Sequence, residues 1–338
     1  MLFRQFFDTT SSTYTYLIAN KKGAEACIID PVLEHIENYL KAIKDLDLKL
    51  VKVIDTHVHA DHVSGISKLR DKTQCIACMG KSQNASEIVS MEVSDNEKFK
   101  VGDLELRALF TPGHTDDSYC FLLNDKIFTG DTLLIGGTGR TDFQNGNAED
   151  QYNSLFNVVL KLDDSVLVYP AHDYKGETVS TIGFERKTNP RLQVKSKQEY
   201  VDLMNSLNLP NPKLMDIVVP KNKKHGVPLE NQMRSNGINV QQLKTMMNQK
   251  KVKLIDVRED FEIQRDGLIE KSIQVPYTQI ENFFQNIELS QSTDQFVLYC
   301  HSGQRTYLAL QKLKNSNIYH LAGGILNWLE AGESVRRT

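Results

Sequence analysis

The chain has 338 residues, 40% of them hydrophobic and 25% charged, with 40 Lys and Arg against 43 Asp and Glu and a formal net charge of −3. That length sets a prior of about two domains, each able to bury a core. The composition is that of a globular chain, and without a basic excess a general nucleic-acid binder is excluded.

In chain order, Met1–Phe7 lacks the long apolar core of a signal peptide, and no later run reaches transmembrane length, so no membrane partner is expected. Leu2–Phe7, Thr13–Ile18 and Ala26–Ile29 read as strands, the third stopped by Asp30-Pro31. Val32, Ile36, Leu40, Ile43 and Leu46 recur at helical spacing, predicting a helix over Val32–Leu46. The apolar run Leu50–Ile54 predicts a strand that ends in the loop Thr56-His57-Val58-His59-Ala60-Asp61-His62. A helix is expected from about Ser64-Gly65 to before Thr73. Strands are expected at Gln74–Met79, Lys98–Val101, Leu104–Phe110, Ser118–Leu123 and Lys126–Thr129, with Gly102-Asp103 as a hairpin turn. Strands in runs, each followed by helix, suit two sheets packed together with helices outside.

From about Arg191 the character changes. Pro210, Pro212, Pro220 and Pro228 punctuate the segment, and Lys221–Gly226 is a basic run, so the stretch reads as a domain tail and tether. After Gly237 a new unit begins. A helix at Val240–Gln249, a strand at Val252–Val257, a strand at Gln295–Tyr299, a helix at Thr306–Leu313, a strand at Ile318–Leu321 and a last helix holding Trp328 follow one another. Such alternation predicts a small α/β domain with a parallel sheet. The expected boundaries are 1–230, including tail and linker, and 237–338.

The chemistry sits at strand ends. His57, His59, Asp61 and His62 place four metal-ligand candidates in six residues. Side chains two apart in extended backbone share a face, so His57 and His59 can point the same way. Imidazole with carboxylate suits zinc, iron, manganese or copper rather than calcium. Three more loops carry a ligand type just past a strand: Thr111-Pro112-Gly113-His114-Thr115, Thr129-Gly130-Asp131, and Pro170-Ala171-His172-Asp173-Tyr174 after Ser165–Val168. A lone strand-end His is more often structural, but four loops of this kind together indicate a metal centre.

This ordered set resembles the signature of the metallo-β-lactamase superfamily across residues 1–230, which implies an α+β fold, the αββα sandwich, with metal at the edge between its sheets. Gly139–Gln144, Tyr174 and Asn189-Pro190-Arg191-Leu192 make it most similar to the persulfide dioxygenases, relatives of glyoxalase II. The resemblance implies one Fe(II) per chain, held by His57, His114 and Asp131, with open positions for O2 and a substrate sulfur. It gives His59, Asp61, His62 and His172 either a supporting role or a second metal, Arg140 a place near the carrier's anionic group, and Tyr174 a place near the sulfur. The implied reaction consumes a low-molecular-weight thiol persulfide, with glutathione as carrier, and O2, and releases sulfite. Some relatives carry a cysteine where this chain has His225. A dizinc thioester hydrolase of the glyoxalase II type is the alternative, since the full histidine set is present.

In the second unit, Cys300-His301-Ser302-Gly303-Gln304-Arg305 lies between a strand and a helix. Loop N–H groups above a helix N-terminus, together with Arg305, favour thiolate, the reactive form. This six-residue loop, Leu254–Arg258 and Gly323-Gly324 with Trp328 resemble the single-domain rhodanese family, although Gly267–Ser272 departs from its usual pattern. The resemblance implies that Cys300 carries a sulfane sulfur as persulfide, with thiosulfate or sulfite among its small-molecule partners. Sulfur flow in either direction between the two activities is compatible with the sequence, and a homo-oligomer is left open. Cys75 and Cys78 form a CxxC without a helix behind it and, like Cys27 and Cys120, read as core. Five widely spaced cysteines do not resemble a disulfide framework, so a reducing, cytoplasmic setting is expected.

Overall fold

The structure is a computed structural model that describes residues 1–81, 89–210, 215–224, 228–249, 252–287, 295–313, 315 and 317–337. Its contacts divide the chain into two compact units, residues 1–87 with 92–225, and residues 88–91 with 226–338.

In the first unit, the alternating N-terminal runs form a hairpin. β1 (Leu2–Asp8) pairs antiparallel with β2 (Thr13–Ala19), Leu2 opposite Ala19 and Asp8 opposite Thr13. β3 (Glu25–Ile29) follows antiparallel to β2. The helix expected from Val32 begins a turn later, as α1 (Ile36–Asp45), because Val32 is held in a bridge with Ser64 and Leu33–His35 forms a 3-10 turn. β4 (Lys49–Ile54) runs parallel to β3, and after α2 (Ile66–Thr73) β5 (Ile76–Gly80) runs parallel to β4. β4 is buried from Leu50 to Ile54 because both its faces are covered, which is why it reads as nearly continuous apolar sequence. With β6 (Met91–Val93) these strands make a six-stranded sheet in sequence order.

The second six-stranded sheet has the order β12-β11-β10-β9-β8-β7. It is built from β7 (Lys98–Val101), β8 (Leu104–Phe110), β9 (Tyr119–Leu123), β10 (Lys126–Gly130), β11 (Leu167–Pro170) and β12 (Ser180–Thr181), with α3 (Ala148–Asn157) between β10 and β11. β10 and β11 are parallel; the other pairs are antiparallel. Phe3 and Tyr16 of the first sheet meet Phe128 and Tyr169 of the second, with ring centroids 4.7 to 6.3 Å apart. The two sheets are joined at the strand ends, where Tyr14 N–H donates to the Ala171 carbonyl at 2.7 Å. This is the expected αββα sandwich.

α3 was not foreseen, because two of its four buried positions are the polar residues Gln151 and Ser154, so no apolar stripe shows. α4 (Ile182–Thr188) and α5 (Lys197–Asn205) pack beside it, with Tyr200 and Met204 joining the cluster around Leu155, Val159 and Val168. The stretch read as a tether folds in part into α6 (Met215–Asn222), with Pro220 in its last turn. His225 and Gly226 lie outside the described residues.

The second unit opens with α7 (Leu229–Arg234), β13 (Gly237–Ile238) and α8 (Val240–Asn248), which Asn239 starts with a capping box. β14 (Val252–Asp256), α9 (Asp260–Asp266), β15 (Ile273–Gln274), α10 (Ile280–Gln285), β16 (Gln295–Tyr299), α11 (Gln304–Leu313), β17 (Ile318–Leu321) and α12 (Gly324–Glu330) follow. The sheet order is β13-β17-β16-β14-β15 and its pairs are parallel, as the alternation predicted. Leu254, Val297, Leu321, Ile325 and Trp328 share one core. Among the described residues no helix is long and apolar enough to cross a membrane.

Candidate functional site

The loop after β4 and the loops after β8, β10 and β11 converge at the joined sheet ends. Potential ligand atoms of His57, His114 and Asp131 lie within 4.8 Å of one another, and those of His59, Asp61 and His62 form a second such group. The partners of the ring nitrogens fix their tautomers. Thr56 Oγ1 donates to Asp30 Oδ2 at 3.1 Å, so at 2.9 Å from His57 Nδ1 it accepts the ring N–H. His114 Nδ1 donates to the Arg140 carbonyl at 2.7 Å. Each ring is thereby left with its Nε2 lone pair for a cation, the arrangement by which outer partners orient metal-binding histidines. Burial, then the neighbouring His59 and His114, hold His57 well below the ordinary histidine range, so it is neutral. Burial works against a charge on Asp131, but His172, with help from His114 and His57, keeps its carboxyl well below the usual range. A neutral His57 and an ionised Asp131 are the protonation states a divalent transition metal requires.

His172 is placed differently. Its Nδ1 lies 2.6 Å from Asp131 Oδ1 and its Nε2 3.0 Å from Asp61 Oδ2. Burial opposes charging, yet Asp131 and Asp61 outweigh it and raise His172 well above the ordinary range. With both nitrogens on carboxylates it offers no lone pair. His59 donates Nε2–H to Asp30 Oδ1 at 3.1 Å, and His62 Nδ1 lies 2.9 Å from Asp61 Oδ2. Among the described residues, His59 Nδ1 and His62 Nε2 are buried without a hydrogen-bond partner.

A cleft of about 940 Å³ opens over His57, His114 and Asp131. Tyr174 stands in its wall, 72% exposed, stacked on His172 with 6.1 Å between centroids. Arg140 also lines it, but its guanidinium grips Asp142 through two bonds of 2.6 Å and donates to the Pro210 and Leu209 carbonyls, so it holds the 209–210 segment against the cleft. Lys175 and Arg191 add cations to the same wall; Arg191 donates to Thr138.

Two residues that support this loop escaped the sequence reading. Asp30, at the end of β3, accepts from Thr56 N–H at 2.7 Å as well as from His59. Asn222, in the stretch read as tether, is fully buried: its Oδ1 accepts from Ser64 N–H at 2.9 Å, and its Nδ2 donates to the carbonyls of His59 at 3.0 Å and His62 at 2.8 Å. Only the Asp30-Pro31 strand stop hinted at the first, and nothing local marks the second.

In the second unit, Cys300 follows β16 directly and the loop turns through Gly303, at φ +80°, into α11. Cys300, His301, Ser302, Gly303, Gln304 and Arg305 are all buried. α12 takes the loop carbonyls: Ile325 N–H donates to Cys300 O at 2.8 Å and Leu326 N–H to His301 O at 3.2 Å. Gly324 permits this approach, since a Cβ there would lie 2.4 Å from the Cys300 carbonyl. Cys300 Sγ lies 3.9 Å from Thr306 Oγ1, and His301 Nδ1 lies 3.8 Å from Asp266 Oδ2. Arg305 forms a fully buried two-bond pair with Glu262, at 2.6 and 2.5 Å. Its charge is therefore neutralised within the fold, so it anchors the loop to α9 rather than adding net positive charge. The remaining cysteines are buried and form no disulfide; burial pushes Cys27 well up and Cys120 up to about 12, as expected of core thiols.

A two-sheet sandwich with a His/Asp cluster at its joined strand ends is the architecture of the metallo-β-lactamase superfamily, whose family model matches residues 8–172, and a rhodanese-like domain model matches residues 239–331. Over 230 residues the chain is 44% identical to persulfide dioxygenase ETHE1, mitochondrial, of Homo sapiens, covering 67% of this chain and 89% of that protein. The crystal structure of ETHE1 from Myxococcus xanthus is 49% identical and superposes with a TM-score of 0.65, covering 67% of this chain and 100% of that one. A metallo-β-lactamase structure from Staphylococcus aureus, 23% identical, shares the fold over 95% of this chain and 98% of its own, with a TM-score of 0.63. The chain belongs to the persulfide dioxygenase family of the metallo-β-lactamase superfamily and carries a rhodanese-like domain behind it.

Proposed function

We propose that the first unit is an Fe(II) persulfide dioxygenase and that the second is a sulfurtransferase working through Cys300. The observation that carries the first part is the pair of histidines, His57 and His114, whose Nδ1 atoms are both committed to donating, beside the ionised Asp131. These three residues would hold one iron. Bound there, a ferrous ion would supply the oxygen-activating chemistry of two-histidine, one-carboxylate oxygenases. The overall change is R-S-SH + O2 + H2O → R-SH + H2SO3, with the thiol of glutathione as carrier. Lys175 and Arg191 line the cleft as partners for the carrier's carboxylates, and His172 keeps Asp131 ionised and oriented.

At the second site, the Cys300 thiolate attacks the outer sulfur of thiosulfate. One S–S bond forms, the S–S bond of thiosulfate breaks, and sulfite leaves with the bonding pair. A thiol acceptor then takes the sulfur as its own persulfide and restores the thiolate.

Purified chain supplied with glutathione persulfide should consume O2 and form sulfite in equal amounts, and His114→Ala or Asp131→Ala should abolish both together with bound iron. Retained iron and full turnover in either variant would overturn the ligand assignment. A second reading, a dizinc thioester hydrolase, draws support from the unpartnered His59 Nδ1 and His62 Nε2, which a second cation would satisfy. It requires hydrolysis of S-lactoylglutathione without O2.

A further inference from the structure

The transfer loop is held by a side chain outside the stretch that the rhodanese-like model matches. Gln232 belongs to α7, ahead of residues 239–331, and is buried. Its Nε2 donates to the Ser302 carbonyl at 3.3 Å, and its Oε1 accepts from Gly323 N–H at 3.0 Å. Gly323 and Gly324 open α12, whose N–H groups take the carbonyls of Cys300 and His301. Gly303 lies directly against the Gln232 amide: a Cβ at Gly303 would sit 2.1 Å from Gln232 Oε1. The backbone of the same residue reaches the other side of the loop. His320 Nε2–H donates to Gln232 O at 3.0 Å, and His320 Nδ1 lies 3.1 Å from Thr306 Oγ1. That hydroxyl is 3.0 Å from Gly303 O and 3.9 Å from Cys300 Sγ.

We infer that Gln232 is a positioning residue of the sulfurtransferase site, and that α7 is part of that site rather than part of a tether. The inference rests on the reading of Cys300 as the sulfur carrier. Physically, a loop that must aim its N–H groups at one sulfur gains from a fixed backbone, and small misplacements of reacting groups are costly in rate. Gln232 fixes the loop through an acceptor and a donor at once, and fixes Thr306 through His320. An apolar residue of similar length would keep the packing and lose both amide bonds. Glutamate would keep an acceptor for Gly323 N–H while losing the donor to Ser302 O.

The test uses the full chain with Gln232→Met and Gln232→Glu. Two readouts are taken: thiosulfate sulfurtransferase kinetics, and amide hydrogen exchange followed by mass spectrometry. In Gln232→Met, kcat should fall roughly 10- to 100-fold with KM for thiosulfate changed less than about threefold. Exchange should accelerate at least about tenfold in 300–306 and 322–326 while β14 and β16 keep wild-type protection. Gln232→Glu, which sets a buried carboxylate oxygen against the Ser302 carbonyl, should lose at least as much kcat and loop protection as Gln232→Met. Wild-type exchange in the loop with unchanged kcat would overturn the inference. So would faster exchange spread over the whole second unit, which marks a residue of the fold and not of the site. A wild-type chain that takes no sulfur from thiosulfate onto Cys300 refutes the sulfurtransferase reading instead, and loop exchange in the variants still decides whether Gln232 holds the loop.

Discussion

Replacing Asn222 by Ala tests how the histidine loop is held. The substitution strands three buried backbone groups, the Ser64 N–H and the carbonyls of His59 and His62, whose bonds to Asn222 measure 2.9, 3.0 and 2.8 Å. An unsatisfied buried group costs about 1–3 kcal/mol, and water entering the vacated space recovers part of that. A net loss of about 3 kcal/mol follows for the first unit. Asn222→Asp, nearly the same shape, should do at least as much harm, because it sets an oxygen against two carbonyls. Urea unfolding followed by far-UV circular dichroism should show the first unit's transition roughly 1 M lower, taking a slope of about 2–3 kcal/mol per molar. The one tryptophan, Trp328, lies in the second unit, so its fluorescence transition should not move. Bound metal should also fall in proportion as the loop loosens. Wild-type midpoints and metal content in both variants would refute the claim that this amide closes the loop.

Three further outcomes are expected. Cys300→Ser should lose sulfur transfer and keep O2 uptake with ready-made persulfide, and equal loss of both activities would contradict independent sites. Glu262→Gln leaves the fully buried Arg305 charge unpaired, which typically costs about 3–5 kcal/mol, so the Trp328 unfolding transition should shift strongly or vanish. Burial lowers His320 from its ordinary 6.5 to about 4, the Gln232 carbonyl offsetting a little of that. The folded unit thus binds fewer protons than the unfolded chain between those values. Its contribution is complete above 6.5 and is lost as the pH falls toward 4, by up to roughly 3 kcal/mol at about 1.36 kcal/mol per unit. Urea midpoints read from Trp328 should fall over that window, and His320→Asn should flatten the slope.

Much of this was legible in the chain itself. Period-2 runs and a single apolar strand per turn signal gave most strands of both units to within a residue or two; Lys98–Val101, Leu104–Phe110 and Ile318–Leu321 are identical in extent. The candidate ligand residues stood out because each follows a strand closely enough for the strand to place it. What escaped has a common cause. α3 and α6 bury polar side chains, Gln151, Ser154 and Asn222, that answer backbone groups distant in sequence, and periodicity counts only apolar residues. The same holds for Asp30, Asn222 and Gln232, which support loops 26 to 163 residues away in the chain. Arg305 shows the converse. Its position in the loop suggested a free cation, and only the fold brings Glu262, 43 residues earlier, against it.

The proposed dioxygenase needs a single ferrous centre left open for gas and sulfur. Metal content per chain, measured on enzyme purified with iron and zinc both supplied and then assayed on glutathione persulfide in air and under argon, tests it most directly. A persulfide dioxygenase should show about one iron per chain, negligible zinc, and sulfite formation that stops when O2 is removed. Two zinc ions per chain with turnover undiminished under argon would contradict it.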